Sequence, residues 1–514
     1  MAAISGGAAI DWRAPRASLG RTDSKPWPWP RWLTPLVAVS VFVICRVPSF
    51  FEPNWYTDEA GYTLTAREVL KGLALYRGAW TNKPPLQIWA VALPLSLFGP
   101  SEAGLHLLTL CTGLVALIAF CLLVRAVLAP WRALLASVAF ALAIGLPALD
   151  AELVVPESLL IAPVTAAGAL LIWRISGGQA AGWWGRGGWA FGVGVLVGVG
   201  AGIQQTVLAD AAAFLLLLLC AHSVRRSETL LYLAGMIVTV VAWLIPALLV
   251  GGVARVGFAL VGFYGSYAHY SAPTSALSLA VIGLSPLLAV VGAFWLRRSA
   301  NPMWASLIWA VAVLDELALA HRGYPHFWAP VAAPVILALV VLIPRLGGWG
   351  WRLAPLGMAF VMCGVLAAST TFEVNALRAY LEFPAALVTG AEGAWQLSFN
   401  SASAPADVAV SDYIRQNRPG ESLVVWSSSA WPYLLASAPV QLRAGPIYND
   451  VVLDGSGQVV AQRVDQLRPQ LILTSQEAMT QWPQIETLLR SHYQLLFSAG
   501  VDRLYERVGP GTTG

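Results

Sequence analysis

Charge is what this sequence has least of. Only 11% of its 514 residues are Asp, Glu, Lys or Arg, against about 25% in an ordinary soluble domain. With 57% hydrophobic residues, that shortage excludes a soluble globular chain and predicts a membrane one. The formal net charge of +4 identifies no partner, and no nucleic-acid partner is expected. Cysteine is scarce too. Cys45, Cys111, Cys121, Cys220 and Cys363 lie in or beside apolar runs, and none follows residue 372. They give no disulfide framework and no CxxC metal pattern, so they read as inert thiols. Repeats of fixed period are absent, and low complexity is confined to the Pro/Trp run from Pro26 to Pro30. A cleavable signal is not expected at the start of this sequence. Residues 1–31 are polar and basic, and the apolar stretch after them, 32–51, is too long for a signal core.

Long apolar runs are what the sequence has instead. Spanning a bilayer takes roughly 17–25 apolar residues. The runs 32–51, 103–124, 133–149, 157–173, 188–206, 208–223, 229–250, 275–296, 303–320, 327–344 and 353–371 qualify, which makes about eleven spans. Leu86 to Gly99 is too short to be a clear span, and arginines decide its case. If it lies along the surface as an amphipathic helix, Arg125, Arg132, Arg174, Arg186, Arg225, Arg226, Arg297, Arg298, Arg345 and Arg352 all fall in cytoplasmic turns, as the positive-inside rule requires. If it crosses, all of them lie outside. The expected organisation is therefore a cytoplasmic segment 1–31, a membrane domain 32–371 with a first outer loop 52–99, and an extracytoplasmic α/β domain 372–514. Within that tail, Leu423–Trp426 and Leu471–Thr474 read as buried strands, Asp407–Asn417 and Pro483–His492 as helices, and Tyr493–Phe497 and Asp502–Arg507 as strands about Gly500.

This register puts the notable acids on the outer side. Asp58 and Glu59 directly follow the first span. A carboxylate held at the membrane surface can act as a general base toward a hydroxyl, or Asp58 can simply cap a solvated helix. Lys83 precedes two prolines, which hold it extended. There its ammonium can meet a phosphate or snorkel. Asp150, Glu152 and Glu157 crowd one short loop between spans. Acids so near hydrocarbon are functional candidates by default. They would suit a divalent cation or another cationic partner, although a helix N-terminus alone accounts for Glu157. The group Arg322, Tyr324 and His326 follows Asp315 and Glu316, and it can bind a phosphate or neutralise those two acids. The aromatic loop Phe263–Tyr270 suits the membrane interface.

Several of these residues recur in a recognisable order: Asp58-Glu59-x-x-Tyr62, Gly72 to Tyr76, Lys83-Pro84-Pro85-Leu86, Phe98-Gly99-Pro100-Ser101-Glu102, Pro156-Glu157 and Arg322-x-Tyr324-Pro325-His326. In this order the chain resembles the GT-C superfamily of membrane glycosyltransferases, nearest to the protein O-mannosyltransferases and the bacterial lipid A aminoarabinose transferases. The resemblance covers nearly the whole chain. It implies a polytopic α-helical membrane fold that carries an outer α/β domain, and a sugar donated from a polyprenyl phosphate at the outer face. The acceptor would be a cell-envelope hydroxyl on a glycan, lipid or protein, with inversion at the anomeric carbon. It further implies Asp58 as the base, with Lys83 and Arg322 or His326 on the leaving phosphate and Glu157 positioning acceptor or sugar. Glu59, Asp150, Glu152, Tyr62 and Tyr324 would line the same cleft.

Two departures matter. Relatives that use a metal carry an acid just before the lysine, where this chain has Asn82, so a divalent metal is possible but not implied. Relatives often carry a lysine near the outer end of the fifth span, where this chain has Gln204-Gln205. The competing readings are a non-catalytic carrier or flippase of lipid-linked sugar, or an envelope scaffold. Clustering of the acids at one face, without evident inverted repeats, favours the enzyme.

Overall fold

A computed structural model of the chain describes residues 29–508, apart from 31, 179–181, 269–275, 300–302, 321–323, 343–372 and 399–402. The expected cytoplasmic segment lies almost wholly outside these residues, as do the expected span 353–371, Cys363 and Arg322. Every other expected span falls on a helix. Among the described residues, five helical stretches are long and apolar enough to cross a membrane: Leu33–Phe51, Glu102–Val127, Pro156–Ile175, Arg226–Gly251 and Pro325–Leu342. Shorter apolar helices fill the intervals between them.

The helices needed below are α1 (Leu33–Arg46), α2 (Thr57–Leu70), α3 (Pro85–Phe98), α4 (Glu102–Val127), α5 (Pro130–Gly145), α6 (Pro156–Ile175), α7 (Trp189–Ala201), α8 (Leu208–Cys220) and α9 (Arg226–Gly251). Local sequence sets their starts. Prolines open α3, α5 and α6 at the first turn, where the missing N–H would have no partner anyway. Ser101 caps α4 by accepting from the Gly104 amide at 3.2 Å. Glycine governs the tightest helix contact. A Cβ on Gly194 of α7 would sit 2.0 Å from the Tyr232 carbonyl, and one on Gly235 of α9 would sit 2.2 Å from that of Phe191. The two backbones touch there, as small residues allow inside a bilayer.

In α4 and α6, acids and arginines occupy opposite ends. Glu102 and Glu157 stand in the first turns of α4 and α6, and Arg125 and Arg174 in their last turns. At 1.5 Å per residue, α4 separates the two ends by about 39 Å. Helix α3 packs on α2 and α4, but its exposed side carries Trp89, Leu93, Leu97 and Phe98. It is thus apolar on both faces rather than amphipathic, a composition suited to lying against lipid.

The tail holds a four-stranded sheet in the order β1-β2-β4-β3, with β1 Leu423–Trp426, β2 Leu471–Ser475, β3 Tyr493–Ala499 and β4 Asp502–Arg507. The first two strands are parallel and wholly buried, which explains why they read as unbroken apolar runs. The other pairs are antiparallel, with the last hairpin turning at Gly500, φ +50°. Helices Glu373–Thr389 and Glu392–Ser398 do not join this sheet. Ala376, Tyr380, Phe383 and Trp395 form a separate cluster with Trp55, and the phenol of Tyr380 donates to Glu52.

Asp407 and Asp502 form a buried acid pair at the edge of the tail's core, and Ser429 donates to Asp407 at 2.7 Å. Burial pushes the Asp502 carboxyl up to about 6. Burial, and then the Asp502 charge, raises Asp407 well above the usual range. The folded pair therefore keeps protons that the unfolded chain releases near pH 3.9. Their stabilisation is complete below that pH and falls as pH rises through about 6 and beyond. Calorimetry between pH 4 and 8 is expected to show Asp502→Asn gaining on wild type as pH rises. Parallel curves would refute this.

Candidate active site

The site is built on the start of α2. Tyr56 is extended, and Asp58 and Glu59 occupy the first helical turn, where the helix dipole favours negative charge. The tail reaches over this turn. Arg67 donates to the carbonyls of Tyr433 at 2.6 Å and Ala438 at 2.8 Å. Trp431 donates to the Tyr56 carbonyl at 3.2 Å, and Pro446 packs on Gly61. Tyr448 is brought to Asp58, and its hydroxyl donates to Oδ1 at 3.2 Å.

Asp150, from the loop before α6, and Glu157, in the first turn of α6, come to the same place. Asp150 holds a left-handed conformation, φ +47°, which costs energy outside glycine and often marks functional positions. Its Oδ2 is 3.8 Å from Nδ1 of His326, and that nitrogen hydrogen-bonds the Tyr56 hydroxyl at 3.1 Å. Tyr324 stacks on the His326 ring, with centroids 5.6 Å apart. Gln204 donates to Glu157 at 2.8 Å. Burial, then the charges of Asp58, Asp150 and Glu157, holds the Tyr56 phenol protonated far above its ordinary range. Burial also holds Tyr62 protonated, helped by Asp58, Tyr448 and Glu157. The result is three carboxylates facing neutral phenol donors and an imidazole. Such a set can accept a proton and orient hydroxyl groups.

Lys83 is half-buried on the loop before α3, and its carbonyl accepts from Tyr76 at 2.8 Å. The neighbouring Asn82 carbonyl accepts from Gln205 at 3.1 Å and from Tyr264 at 3.3 Å. Beside Lys83, Asn82 offers a neutral amide oxygen rather than a carboxylate, a weaker ligand for a divalent cation.

Glu59 and Glu152 face away from this cleft, into the protein. Glu59 accepts from the Val154 amide at 2.5 Å and lies 3.6 Å from His106. Glu152 pairs with buried Arg46 at 3.7 Å. The side chains of Asp315 and Glu316 are not among the described ones. Sequence reasoning missed Tyr56 and Tyr448. Tyr56 had a signal, since it sits two residues before Asp58. Tyr448 had none, being 390 residues away.

No family model and no curated protein matches the chain. Solved structures do. The crystal structure of ArnT from Cupriavidus metallidurans in the apo state superposes with a TM-score of 0.61 at 16% identity, covering 93% of this chain and 99% of that one. The same protein bound to undecaprenyl phosphate gives a TM-score of 0.58 at 17% identity, with equal coverage. This chain has the GT-C fold. The superposition includes the tail, so the helical GT-C body and its small α/β domain are matched together. Within this GT-C chain, Gln204 stands where the family resemblance anticipates a lysine, and it is committed to Glu157.

Proposed function

We propose that the protein is an inverting glycosyltransferase. It would move a sugar from a polyprenyl phosphate to a hydroxyl of a cell-envelope acceptor on the outer face of the membrane. The observation that carries this reading is the convergence of Asp58, Asp150, Glu157, Tyr56, Tyr448 and His326 at one end of a GT-C fold. ArnT, solved with undecaprenyl phosphate, supports a lipid-phosphate donor. The arginines at the far helix ends support an outer location for the site, with the N-terminus cytoplasmic and the tail outside.

In this mechanism Asp58 takes the proton of the acceptor hydroxyl as its oxygen attacks the anomeric carbon. The bond from that carbon to the phosphate oxygen breaks, and the lipid phosphate leaves with the electron pair. Lys83 and His326 face the developing phosphate charge. Glu157, held by Gln204, and Asp150, held by His326, receive sugar or acceptor hydroxyls. Tyr448 positions the base by fixing Oδ1, leaving Oδ2 for the acceptor.

A single displacement inverts the anomeric centre. Proton NMR of the product is expected to show the configuration opposite to the donor, and retention would refute Asp58 as the base of a one-step reaction. Tyr448→Phe removes one hydrogen bond to a carboxylate, worth about 1.5 kcal/mol. It is expected to lower kcat roughly tenfold with little change in KM. An unchanged kcat would assign Tyr448 a docking role alone.

A further inference from the structure

We propose that Glu59, Glu102 and His106 bind a zinc ion behind the catalytic turn, a site that the glycosyltransferase mechanism does not use and that stands whether or not that reading holds. These three side chains are each buried, with 6% exposure at most, and one ligand atom from each lies within 4.8 Å of the others. Glu102 and His106 stand four residues apart, on one face of the first turns of α4. Glu59 comes across from the first turn of α2.

The imidazole identifies the ligand. Nδ1 of His106 is 2.6 Å from the Ser49 carbonyl oxygen. A carbonyl only accepts, so Nδ1 carries a proton. A metal-bound histidine is oriented in this way, with one ring N–H given to a carbonyl and the other nitrogen turned to the ion. Nε2 has no hydrogen-bond partner, and neither does Oε1 of Glu59. Nε2 lies 3.6 Å from Oε2 of Glu59 and 3.4 Å from Oε2 of Glu102. These contacts are long for charge-assisted hydrogen bonds. They match a tetrahedron, because zinc bonds of about 2.0–2.1 Å set adjacent ligand atoms roughly 3.4 Å apart.

Charge argues the same way. Glu52, Glu59, Glu102 and Glu152 are all buried here, and Arg46 is the guanidinium that faces them. Four buried carboxyl groups in a low-dielectric layer, with Arg46 paired to Glu152, must each stay protonated or meet a further cation. A divalent ion coordinated by one imidazole and two carboxylates supplies that charge, and mixed N/O ligation suits zinc. Three protein ligands leave the fourth position for water. The ion would tie α2 to α4 through Glu59, the residue next to Asp58, and so hold the catalytic turn in place. The rival arrangement is a doubly protonated His106 bridging the two carboxylates without metal.

The test uses full-length protein in detergent, with its affinity tag removed, stripped by chelator and then equilibrated with zinc. Elemental analysis is expected to find about one zinc per chain, with at least a tenfold loss in His106→Ala and in the more conservative Glu102→Gln. Zinc is expected to raise the unfolding temperature of wild type and not of the variants. X-ray absorption at the zinc edge reads the same site in wild type with no substitution. One imidazole plus carboxylate oxygens supports the proposal, whereas sulfur or several imidazoles overturns it. Wild-type zinc at background level, or full zinc retained in both variants, also overturns it in favour of the bridging imidazolium.

Discussion

Asp58→Asn is expected to abolish the proposed sugar transfer, by a factor of at least about a hundred, while the purified protein stays folded. General-base catalysis contributes roughly 10²–10⁴ to a rate, and asparagine has the shape of aspartate without its capacity to take a proton. The structure explains why the fold survives. Asp58 is half-buried rather than buried. Its hydrogen bond comes from the Tyr448 hydroxyl to Oδ1, and an amide oxygen still accepts that bond, although more weakly. The buried anchors of the turn are elsewhere, in the Glu59 bond to Val154 and the Arg67 bonds to the tail. The check pairs a transfer assay with a thermal unfolding curve on the same preparation. A variant that unfolds normally and still transfers sugar at the wild-type rate would remove Asp58 from the mechanism.

Arg46→Ala acts on folding instead. Arg46 is wholly buried at the end of α1. Its guanidinium donates to Thr109 Oγ1 at 2.5 Å and to the Glu152 carbonyl at 3.4 Å, and it faces the Glu152 carboxylate at 3.7 Å. Glu52 and Glu59 also feel its charge. Deleting it leaves buried carboxylates without compensation, and breaking a buried pair from one side costs about 3–5 kcal/mol. The variant is expected to unfold many degrees below wild type or to fail to accumulate. The double variant Arg46→Met with Glu152→Gln is expected to recover much of the loss, because the carboxylate paired with the guanidinium is then neutral as well. An unfolding temperature for Arg46→Ala within two or three degrees of wild type would show that the buried network carries little of the stability.

These two residues illustrate what the sequence makes legible. Asp58 stands out through the ordered motifs that carry the resemblance, since alone it also reads as the cap of a solvated helix. Arg46 lies at a span's end, where it passes as one more basic flank, and only its burial against Glu152 distinguishes it. His106 hides in the same way inside an apolar run. An ionisable residue within a span is a functional candidate by default, and that signal marks His106, Arg46 and also Asp210, which accepts from Trp309 at 2.8 Å. The spans and the parallel strands β1 and β2 are readable because burial on all sides writes itself as continuous apolar sequence. The helices at Glu373–Thr389 and Glu392–Ser398 are not, because their partners Phe51, Glu52 and Trp55 lie more than 300 residues earlier. Tyr448 is invisible for the same reason. Its role arises from how the tail docks, and no local pattern encodes that.

The activity proposed for this chain of GT-C fold is transfer of a sugar from a polyprenyl phosphate. The most direct test gives purified protein a panel of radiolabelled polyprenyl-phosphate sugars with a cell-envelope extract as acceptor, and follows the label and the free lipid phosphate together. One donor is expected to be consumed, with free polyprenyl phosphate released in step with labelled acceptor. Folded protein that binds and consumes none of the donors would contradict it and leave the fold serving a carrier or a scaffold.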